Sequence, residues 1–500
     1  MTAPSISPRL VVAGLSGGSG KTIVSLGLLL TARGRGLPVR AFKKGPDYID
    51  TAWLGWATGG PVRNLDTFLM GFEDAVASFT LHALPGGLNL IEGNRGLYDG
   101  SDARGTHSTA ELAKALRAPV VLVLDATKVT RTLAAMVLGC QRLDPGVNIV
   151  GVILNQVSGP RHEQVLREAV EATCEIPVLG AIPRTSKDTL IPERHLGLVV
   201  PEEYSGTKSL RATLETLFEG RLEFEKLWKL SSLAPELGAS EWGSGACGAA
   251  ALRQPDLKGG SSAAALQGKG LKIGYLRDSA FTFYYPENLE LLSAAGAELV
   301  AISALSAVAL PEDIDALYIG GGFPETHGEA LSANKPFLSS LWRAVDGGLP
   351  VYAECAGLML LARAIVWRGE KHSMAGVLPF EVEVCAKPQG HGYTELFVDT
   401  LNPFFPRGLI LRGHEFHYSR ILPGAGLPGT ACAVRRGVGC YHGRDGVIVG
   451  NSWASYTHLH GLATPEWAEG LLNAARHFAG TKRAALSSEE EARRRGGSVN

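Results

Sequence analysis

The segment from Gly14 to Thr22 has the composition of a phosphate-binding loop. It reads GLSGGSGKT, follows the apolar run Leu10–Ala13 and precedes an amphipathic stretch at Thr22–Arg33, so it predicts a loop between a strand and a helix. The N–H groups of such a loop and the positive end of the helix dipole bind phosphate, the lysine neutralises the outer phosphates, and the hydroxyl holds Mg²⁺. The predicted ATP-binding residues are Gly17, Gly18, Gly20, Lys21 and Thr22.

The spacing of this loop resembles the deviant branch of P-loop proteins, which includes dethiobiotin synthetase and the partition and nitrogenase-reductase ATPases. The strict pattern requires a glycine where this chain has Leu15, and Gly14 stands one place early. Partition-type ATPases carry a signature lysine where this chain has Ser16, which favours a synthetase over a dimerising partition ATPase. A glycine turn that only caps a helix is the alternative, but strand, loop, GKT and helix all occur in order.

Acidic residues that follow predicted strands are candidates for the Mg²⁺ site. Asp47 lies in KKGPDYID, Glu92 in LIEGNRGLYDG and Asp125 in VLVLDAT. Nucleotide-bound Mg²⁺ prefers carboxylate oxygens, and ligands bind at the carboxyl ends of parallel strands. We favour Asp47 and Glu92, together with Thr22, because both lie in glycine-bearing loops, whereas a lone Asp after a strand is often a turn residue. Asn155, at the end of GVILN, is interpreted as an adenine contact or a turn residue.

A second kind of chemistry is predicted at Cys355. The segment 350–360, PVYAECAGLML, predicts a strand, the cysteine and then a helix, with Ala353 and Gly357 two positions away on either side. A sharp turn between strand and helix needs such small neighbours, as at nucleophile elbows. The N-terminus of the following helix is expected to lower the pKa of the thiol and favour the thiolate. Cys355 is therefore the predicted nucleophile rather than a buried apolar cysteine.

Two further features complete the chemistry predicted for Cys355. The strand Ala316–Ile319 ends in GGGFPE, and we expect N–H groups of Gly321 and Gly322 to stabilise an oxyanion, with a plain glycine turn as the alternative. His458, in NSWASYTHLHG, follows Cys355 in the chain and is the predicted general base.

Alternating strands and helices must position these residues. Short apolar runs alternate with helical stretches such as Thr22–Arg33 and Arg131–Leu143, which is typical of a doubly wound parallel sheet. The strands predicted first are Leu10–Ala13, Val39–Phe42, Leu88–Ile91, Val120–Leu124, Ile149–Leu154 and Val178–Ile182. A second α/β domain is predicted to follow; its strands are Lys272–Leu276, Glu298–Ile302, Ala316–Ile319, Pro350–Ala353 and Val447–Asn451.

Composition divides the chain of 500 residues into four parts. We predict an ATP-dependent domain at residues 1–230 and a second domain at 271–480. Between them, residues 231–270 are rich in Ala, Gly and Ser and predict a linker. Residues 481–500 are charged and predict a flexible tail.

The overall composition excludes several classes of protein. Hydrophobic residues make up 45% of the chain, which excludes a wholly disordered protein. A formal net charge of −1 argues against a dedicated nucleic-acid binder. Seven cysteines without a CxxC pair favour a reducing cytoplasm over a disulfide framework, and we expect no signal peptide and no membrane segment. A homodimer is compatible with the sequence.

These motifs together resemble the cobyrinic acid a,c-diamide synthase family of glutamine-dependent enzymes. The resemblance covers nearly the whole chain outside the linker and tail. The matching segments of the first domain are Gly17–Thr22, FKKGPDYID at Phe42–Asp50, RNLD at Arg63–Asp66, EGNRGLYDG at Glu92–Gly100, GVILN at Gly151–Asn155 and PERHLGLV at Pro192–Val199. Those of the second are RDSAFTFYYPENLELL from Arg277, GGGFPE, AECAGLMLL and GHEFHYS at Gly413–Ser419.

The resemblance implies an N-terminal dethiobiotin-synthetase-like domain and a C-terminal class I glutamine amidotransferase domain of the triad type. The first would phosphorylate a carboxylate of cobyrinic acid with ATP and Mg²⁺, and the second would release ammonia from L-glutamine through a Cys355 thioester. Tyr48, Ile49 and Asp99 are the residues expected to contact the tetrapyrrole. The usual triad has a Glu where His460 stands, which implies a Cys–His dyad or a non-standard third member.

The motifs leave the tetrapyrrole open. The family often has EGVMGL where this chain has EGNRGL, so Asn94 and Arg95 add polarity beside the predicted acid site. Hydrogenobyrinate and nickel sirohydrochlorin are alternative substrates because enzymes acting on them share the same two domains. A P-loop ATPase switch is the alternative from another class, and the intact cysteine elbow argues against it, since a switch needs no glutaminase.

Overall fold

The computed structural model describes residues 7–185, 190–194, 197–237, 268–422, 424 and 426–496. The chain forms two compact units, Met1–Ala249 and Ala250–Asn500. The division falls inside the segment 231–270 where the sequence predicts a linker. Residues 238–267 of that segment lie outside the described residues, and its first two residues belong to a helix that ends at Ser232.

The first unit is built on a seven-stranded parallel sheet with helices connecting its strands. The strands are β1 (Arg9–Gly14), β2 (Val39–Lys44), β3 (Arg63–Leu65), β4 (Leu88–Glu92), β5 (Val120–Asp125), β6 (Ile149–Val157) and β7 (Val178–Pro183). Their order in the sheet is β3-β2-β4-β1-β5-β6-β7. All residues of β1 and β4 are buried, which explains why apolar residues predominate in them instead of alternating with exposed polar ones.

Helices connect these strands. They are α1 (Lys21–Gly34), α2 (Ile49–Thr58), α3 (Gly71–His82), α4 (Thr109–Ala115), α5 (Thr132–Leu143), α6 (Pro160–Cys174), α7 (Thr207–Phe218) and α8 (Phe224–Ser232). A small antiparallel pair is formed by β8 (Glu193–Arg194) and β9 (Gly197–Leu198). The parallel α/β architecture predicted for this unit is confirmed, and β3 is an edge strand that the predictions omit.

The second unit contains a ten-stranded mixed sheet and a four-stranded sheet. The large sheet has the order β11-β10-β12-β13-β22-β21-β20-β17-β18-β23, and the small one β15-β14-β16-β19. The strands are β10 (Lys272–Leu276), β11 (Glu298–Ile302), β12 (Ala316–Ile319), β13 (Val351–Glu354), β14 (Ala364–Trp367), β15 (Glu370–Ser373), β16 (Glu381–Val384), β17 (Gly390–Val398), β18 (Ile410–His417), β19 (Ser419–Ile421), β20 (Thr430–Arg436), β21 (Arg444–Val449), β22 (Ser452–Ser455) and β23 (His458–Leu459).

The described part of the second unit also contains α-helices. They are α9 (Pro286–Ala294), α10 (Gly328–Ala333), α11 (Lys335–Asp346), α12 (Ala356–Leu361) and α13 (Pro465–Gly496). α13 continues through residues 481–496, where the sequence predicts a flexible tail, because this segment is rich in Ala, Glu and Arg, which are good helix formers. Within the described residues, no helix combines the length and apolar composition needed to cross a bilayer.

The strand predicted at Val447–Asn451 differs from the structure in one respect that matters for the site. The strand β21 ends at Val449, and Gly450 and Asn451 form a tight turn into β22, with Val449 paired to Ser452. β22 then runs parallel to β13. The sequence signal was the β-branched run, and the turn that splits it is fixed by Gly450, which has a φ of 55°.

Candidate active sites

The phosphate loop connects β1 to α1 at the carboxyl end of the first sheet. Lys21 is the first residue of α1, and its ammonium donates a hydrogen bond to the carbonyl oxygen of Ser16 at 3.0 Å. Burial, and then the nearby Lys43, lower the pKa of Lys21. A Cβ added at Gly17 or Gly18 would meet no atom within 4 Å, so this side of the loop is open.

Asn155 supports the phosphate loop. Its Nδ2 donates a hydrogen bond to the carbonyl oxygen of Ser19 at 3.1 Å. Gly20 has a φ of 89°, and a Cβ there would lie 2.1 Å from Nδ2 of Asn155, so the loop and the amide can approach only because the residue is glycine. The adenine contact expected of Asn155 stays a prediction.

Thr22 and Glu92, which the sequence assigns to the Mg²⁺ site, lie together in the structure. The hydroxyl oxygen of Thr22 lies 3.2 Å from Glu92 Oε1 and 3.2 Å from Asp50 Oδ1, and its single proton can be donated to either carboxylate. The ammonium of Lys43 lies 2.6 Å from Asp50 Oδ2 and 2.7 Å from Glu92 Oε1. Sequence reasoning missed Asp50 and Lys43, although both stand in the quoted segment FKKGPDYID.

The charges of this cluster depend on one another. Burial lowers the pKa of Lys43, but the charges of Asp50 and Glu92 raise it by more. The net effect is a raised pKa, so the ammonium is kept protonated. Burial raises the pKa of Asp50, and Lys43 more than reverses this, so its pKa lies below the ordinary value. Burial leaves the pKa of Glu92 raised in spite of Lys43. The cluster therefore presents an ionised Asp50 and a buried Glu92 beside the hydroxyl of Thr22.

Asp47 lies two residues before α2, and its part in the Mg²⁺ site stays a prediction. Its Oδ1 accepts a hydrogen bond from the N–H of Asp50 at 2.7 Å, so Asp47 helps to orient Asp50. Burial, followed by the charge of Asp50, raises the pKa of Asp47 to about 7. Asp125 is exposed and accepts from the N–H of Thr127 at 2.8 Å, as a turn residue does.

The three residues expected to contact the tetrapyrrole lie in the segments that follow β2 and β4. Tyr48 directly precedes α2, and Ile49 is its first residue. Asp99 accepts a hydrogen bond from the N–H of Gly96 at 2.8 Å. The loop of Asp99 contacts the phosphate loop, since a Cβ at Gly96 would lie 2.7 Å from the carbonyl oxygen of Leu15. Their contacts with substrate stay predictions.

In the second unit, Cys355 occupies the predicted sharp turn between β13 and α12. It has φ of 48° and ψ of −94°, a backbone conformation that costs a residue with a side chain about 1–3 kcal/mol. Its N–H donates to the carbonyl oxygen of Ser455 at 2.7 Å. A Cβ at Gly357 would lie 2.7 Å from the carbonyl oxygen of Ile319, so the small residue lets α12 approach β12.

The expectation that the helix N-terminus lowers the thiol pKa is wrong for this structure. Burial raises the pKa of the Cys355 thiol well above its ordinary value, and Glu325 is the next largest cause. The N–H of Ala356 hydrogen-bonds the sulfur but does not offset these effects, and α12 has only six residues. The thiol is therefore protonated in the resting site, and a general base has to accept its proton.

His458 is buried beside the elbow. Its Nδ1 lies 3.3 Å from Glu354 Oε2, and Glu354 is the residue that precedes the nucleophile. A Cβ at Gly321 would lie 2.6 Å from Cε1 of His458, so the ring packs against the glycine loop that follows β12. The imidazole of His414 stacks on that of His458 with ring centroids 5.0 Å apart.

His460 lies against a different carboxylate. Its Nε2 is 3.7 Å from Glu287 Oε2, and its ring is 4.5 Å from the ring of Tyr285. Both His460 and Glu287 are fully buried. The two histidines of this segment thus meet two separate acidic residues.

Of the two oxyanion donors predicted in the glycine loop after β12, the N–H of Gly321 is less available than that of Gly322. The N–H of Gly321 donates to the carbonyl oxygen of Phe283 at 3.2 Å, and Phe283 donates back to Gly321. A Cβ at Gly322 would lie 2.1 Å from the carbonyl oxygen of Ala280, so this position requires glycine. We favour Gly322 and the N–H of Ala356, which follows the nucleophile, as donors to an oxyanion.

We expect His458→Ala to lower glutamine hydrolysis far more than His460→Ala does. His458 lies beside the elbow, and loss of a general base costs roughly 10²- to 10⁴-fold in rate. Glutamine hydrolysis and iodoacetamide labelling of Cys355, measured in both variants, check this, with synthesis from ammonium retained in each as the control. A larger loss in His460→Ala would reverse the assignment.

Comparison with known proteins matches each unit to a family of domains. Residues 10–199 match the CobQ/CobB/MinD/ParA nucleotide binding domain, and residues 272–465 match the CobB/CobQ-like glutamine amidotransferase domain.

Curated proteins named cobyrinate a,c-diamide synthase match the chain over almost their whole length. One from Magnetococcus marinus is 42% identical over 92% of this chain and 96% of its own. One from Dehalococcoides mccartyi is 38% identical over 94% of this chain and 99% of its own. One from Salmonella typhimurium is 37% identical over 93% of this chain and 98% of its own. The chain therefore belongs to the cobyrinate a,c-diamide synthase family.

Proposed function

We propose that this protein uses ATP and glutamine to amidate the a and c carboxylates of cobyrinate in cobalamin biosynthesis. The observation that carries the proposal is the 42% identity to a cobyrinate a,c-diamide synthase over 92% of the chain, which spans both units. The geometry supports it, because one unit has a phosphate loop beside carboxylates and the other a cysteine on a strained elbow beside a histidine.

The first unit activates the carboxylate. A carboxylate is a poor acceptor for ammonia, and transfer of the γ-phosphoryl group of ATP converts it into an acyl phosphate while ADP leaves. The charge that spreads over the transferring group is stabilised by the N–H groups of the phosphate loop and by Lys21. Attack of ammonia on the acyl carbon then expels inorganic phosphate and leaves the amide.

The residues around Thr22 fit a magnesium ion bound together with ATP. The hydroxyl of Thr22 and the carboxylates of Asp50 and Glu92 are hard oxygen donors, which are those that Mg²⁺ prefers. When bound, Mg²⁺ neutralises charge on the phosphates. Lys43 holds the two carboxylates in place, and Asp47 orients Asp50 through its N–H.

The second unit supplies ammonia. The thiol of Cys355 gives its proton to His458 and attacks the amide carbon of glutamine, and ammonia leaves with a proton returned by His458. Water then hydrolyses the thioester and releases glutamate. The oxyanion formed in both steps is stabilised by Gly322 and by the N–H of Ala356.

Tyr48, Ile49 and Asp99 are proposed to contact the tetrapyrrole, since Asp50, which directly follows Ile49, lies beside Thr22 and the loop of Asp99 contacts the phosphate loop. Incubation with cobyrinate, hydrogenobyrinate and nickel sirohydrochlorin in parallel, read by mass spectrometry, tests the substrate. We expect the diamide of cobyrinate to form fastest, and preferential amidation of another tetrapyrrole would overturn the choice. A homodimer and a cytoplasmic location stay predictions from the sequence.

We expect Asp50→Asn to raise the Mg²⁺ concentration required for half-maximal synthesis by at least roughly tenfold. The variant loses the charge that lies beside Thr22 and Lys43. Titration of Mg²⁺ in ammonium-dependent synthesis measures this, and Asp125→Asn, which changes an exposed turn, is the matched control. Equal Mg²⁺ requirements in the two variants would exclude Asp50 from the metal site.

A further inference from the structure

A carboxylate is buried immediately beside the nucleophile. Glu354 is the last residue of β13, and its side chain is fully buried. A carboxylate in such surroundings is costly to bury unless hydrogen-bond donors replace water. Its contacts therefore indicate what the residue does.

Glu354 is approached by groups that come from two other strands. The hydroxyl of Tyr318, on β12, donates to Oε2 at 3.2 Å, and the N–H of Leu459, on β23, donates to Oε1 at 3.2 Å. Burial raises the pKa of Tyr318 well above its ordinary value, so this hydroxyl stays protonated and donates. Nδ1 of His458 lies 3.3 Å from Oε2.

Strand pairing brings Glu354 and His458 together. β13 and β22 are parallel neighbours, with Glu354 opposite Ser455, and the N–H of Cys355 bonds the carbonyl oxygen of Ser455. The chain needs only three residues from Ser455 to reach His458. The carboxylate, the nucleophile and the histidine thus share one end of the sheet although 104 positions separate Glu354 from His458 in sequence.

We propose that Glu354 is the third member of the glutaminase site, a positioning residue that orients His458. The inference rests on the proposed glutamine hydrolysis. It assigns to the residue directly before the nucleophile the role that the usual triad gives to a Glu two residues after the histidine. His460 stands at that place here and lies against Glu287 instead.

The role follows from the two nitrogens of the imidazole. When Nδ1–H of His458 donates to the carboxylate, Nε2 is left unprotonated and can accept the proton from the sulfur of Cys355. The sulfur then forms a bond to the amide carbon, the C–N bond breaks, and Nε2–H gives its proton to the departing nitrogen. Throughout, Glu354 keeps the tautomer and faces the imidazolium without taking the proton itself.

The neighbouring His414 does not replace His458 as the histidine that Glu354 orients. His414 stacks on His458, and burial holds its pKa well below the ordinary value, with His458 as the next cause. His414 is therefore neutral, and its Nδ1 lies 3.2 Å from the hydroxyl of Tyr285.

Glu354→Gln separates positioning from packing because it preserves the shape of the side chain. A glutamine has one acceptor oxygen, so if it accepts from Leu459 it presents NH₂ to His458 and favours the tautomer that carries the proton on Nε2. In the full-length protein we expect kcat for glutamine hydrolysis to fall roughly 10²- to 10⁴-fold with little change in KM, and iodoacetamide labelling of Cys355 to slow. Ammonium-dependent synthesis is expected to be retained.

Glu287→Gln is the matched control, since it changes the other fully buried glutamate that faces a histidine of this segment. We expect its kcat to stay near that of the unmodified protein. A folded Glu354→Gln with normal kcat, or an equal fall in Glu287→Gln, would overturn the inference.

If Glu354→Gln does not fold, Glu354→Asp decides the question. It keeps the charge but shortens the reach to His458, so we expect a lowered kcat with KM retained, and an unchanged kcat would again contradict the role. Absence of glutamine hydrolysis in the unmodified protein would instead refute the proposed function.

Discussion

Lys21→Ala is expected to abolish synthesis from glutamine and from ammonium alike. Lys21 acts on the phosphoryl group, whichever source provides the nitrogen. Loss of one such charge at a phosphoryl-transfer site removes about 4 kcal/mol of transition-state stabilisation, or roughly a thousandfold in rate. Initial rates of ADP formation and of amide formation, measured with each nitrogen donor, check the prediction.

Lys208→Ala is the matched control for Lys21→Ala, because Lys208 is exposed on α7 in the same unit. We expect this control to retain normal rates. Near-normal synthesis from ammonium in a folded Lys21→Ala protein would remove the assignment of the phosphate loop.

Cys355→Ser is expected to abolish synthesis from glutamine and to preserve synthesis from a high concentration of ammonium. The sulfur is needed only to release nitrogen, whereas carboxylate activation belongs to the first unit. A serine hydroxyl at the elbow is a much weaker nucleophile with this base. Measuring the diamide formed from each nitrogen donor gives the result directly.

Cys385→Ser is the control for the chemical change at Cys355, because Cys385 is a half-buried cysteine of the same unit. It is expected to use both donors normally. If ammonium fails to rescue a folded Cys355→Ser protein, the division of labour between the two units is wrong.

The parallel sheets could be predicted because their sequence signal is local. Continuous apolar runs such as Leu10–Ala13 and Ala316–Ile319 are typical of strands covered on both faces, and the structure places strands at these positions. The antiparallel strands β17, β18 and β20 were not predicted. In β17, buried and partly exposed residues alternate only from Thr394 to Val398, and so short an alternation is a weaker signal of a strand than a continuous apolar run.

The phosphate loop and the cysteine elbow could be predicted for a similar reason. Each is a contiguous segment in which a glycine allows a close approach that a larger residue would prevent, as Gly20 and Gly357 show. Their functions could be inferred because the order of strand, loop and helix around each segment can be read from the sequence.

The contacts of the acidic residues could not be predicted. Asp47 and Asp50 are three residues apart, and the choice between them depends on α2 beginning at Ile49, so that Asp50, in the first turn of the helix, lies beside Thr22. Glu354 meets His458 only because β13 pairs with β22, a contact between segments that are distant in sequence. The raised pKa of Cys355 likewise depends on burial by the folded unit.

The central claim is tested most directly with cobyrinate, ATP, Mg²⁺ and glutamine that carries a nitrogen isotope in its side-chain amide. Mass spectrometry of the product follows each replacement of a carboxyl OH by NH₂ and the transfer of label. We expect a diamide in which both new nitrogens carry the label. We expect no amidated product when ATP is left out. ATP and glutamine hydrolysis that leaves cobyrinate unchanged would contradict the account.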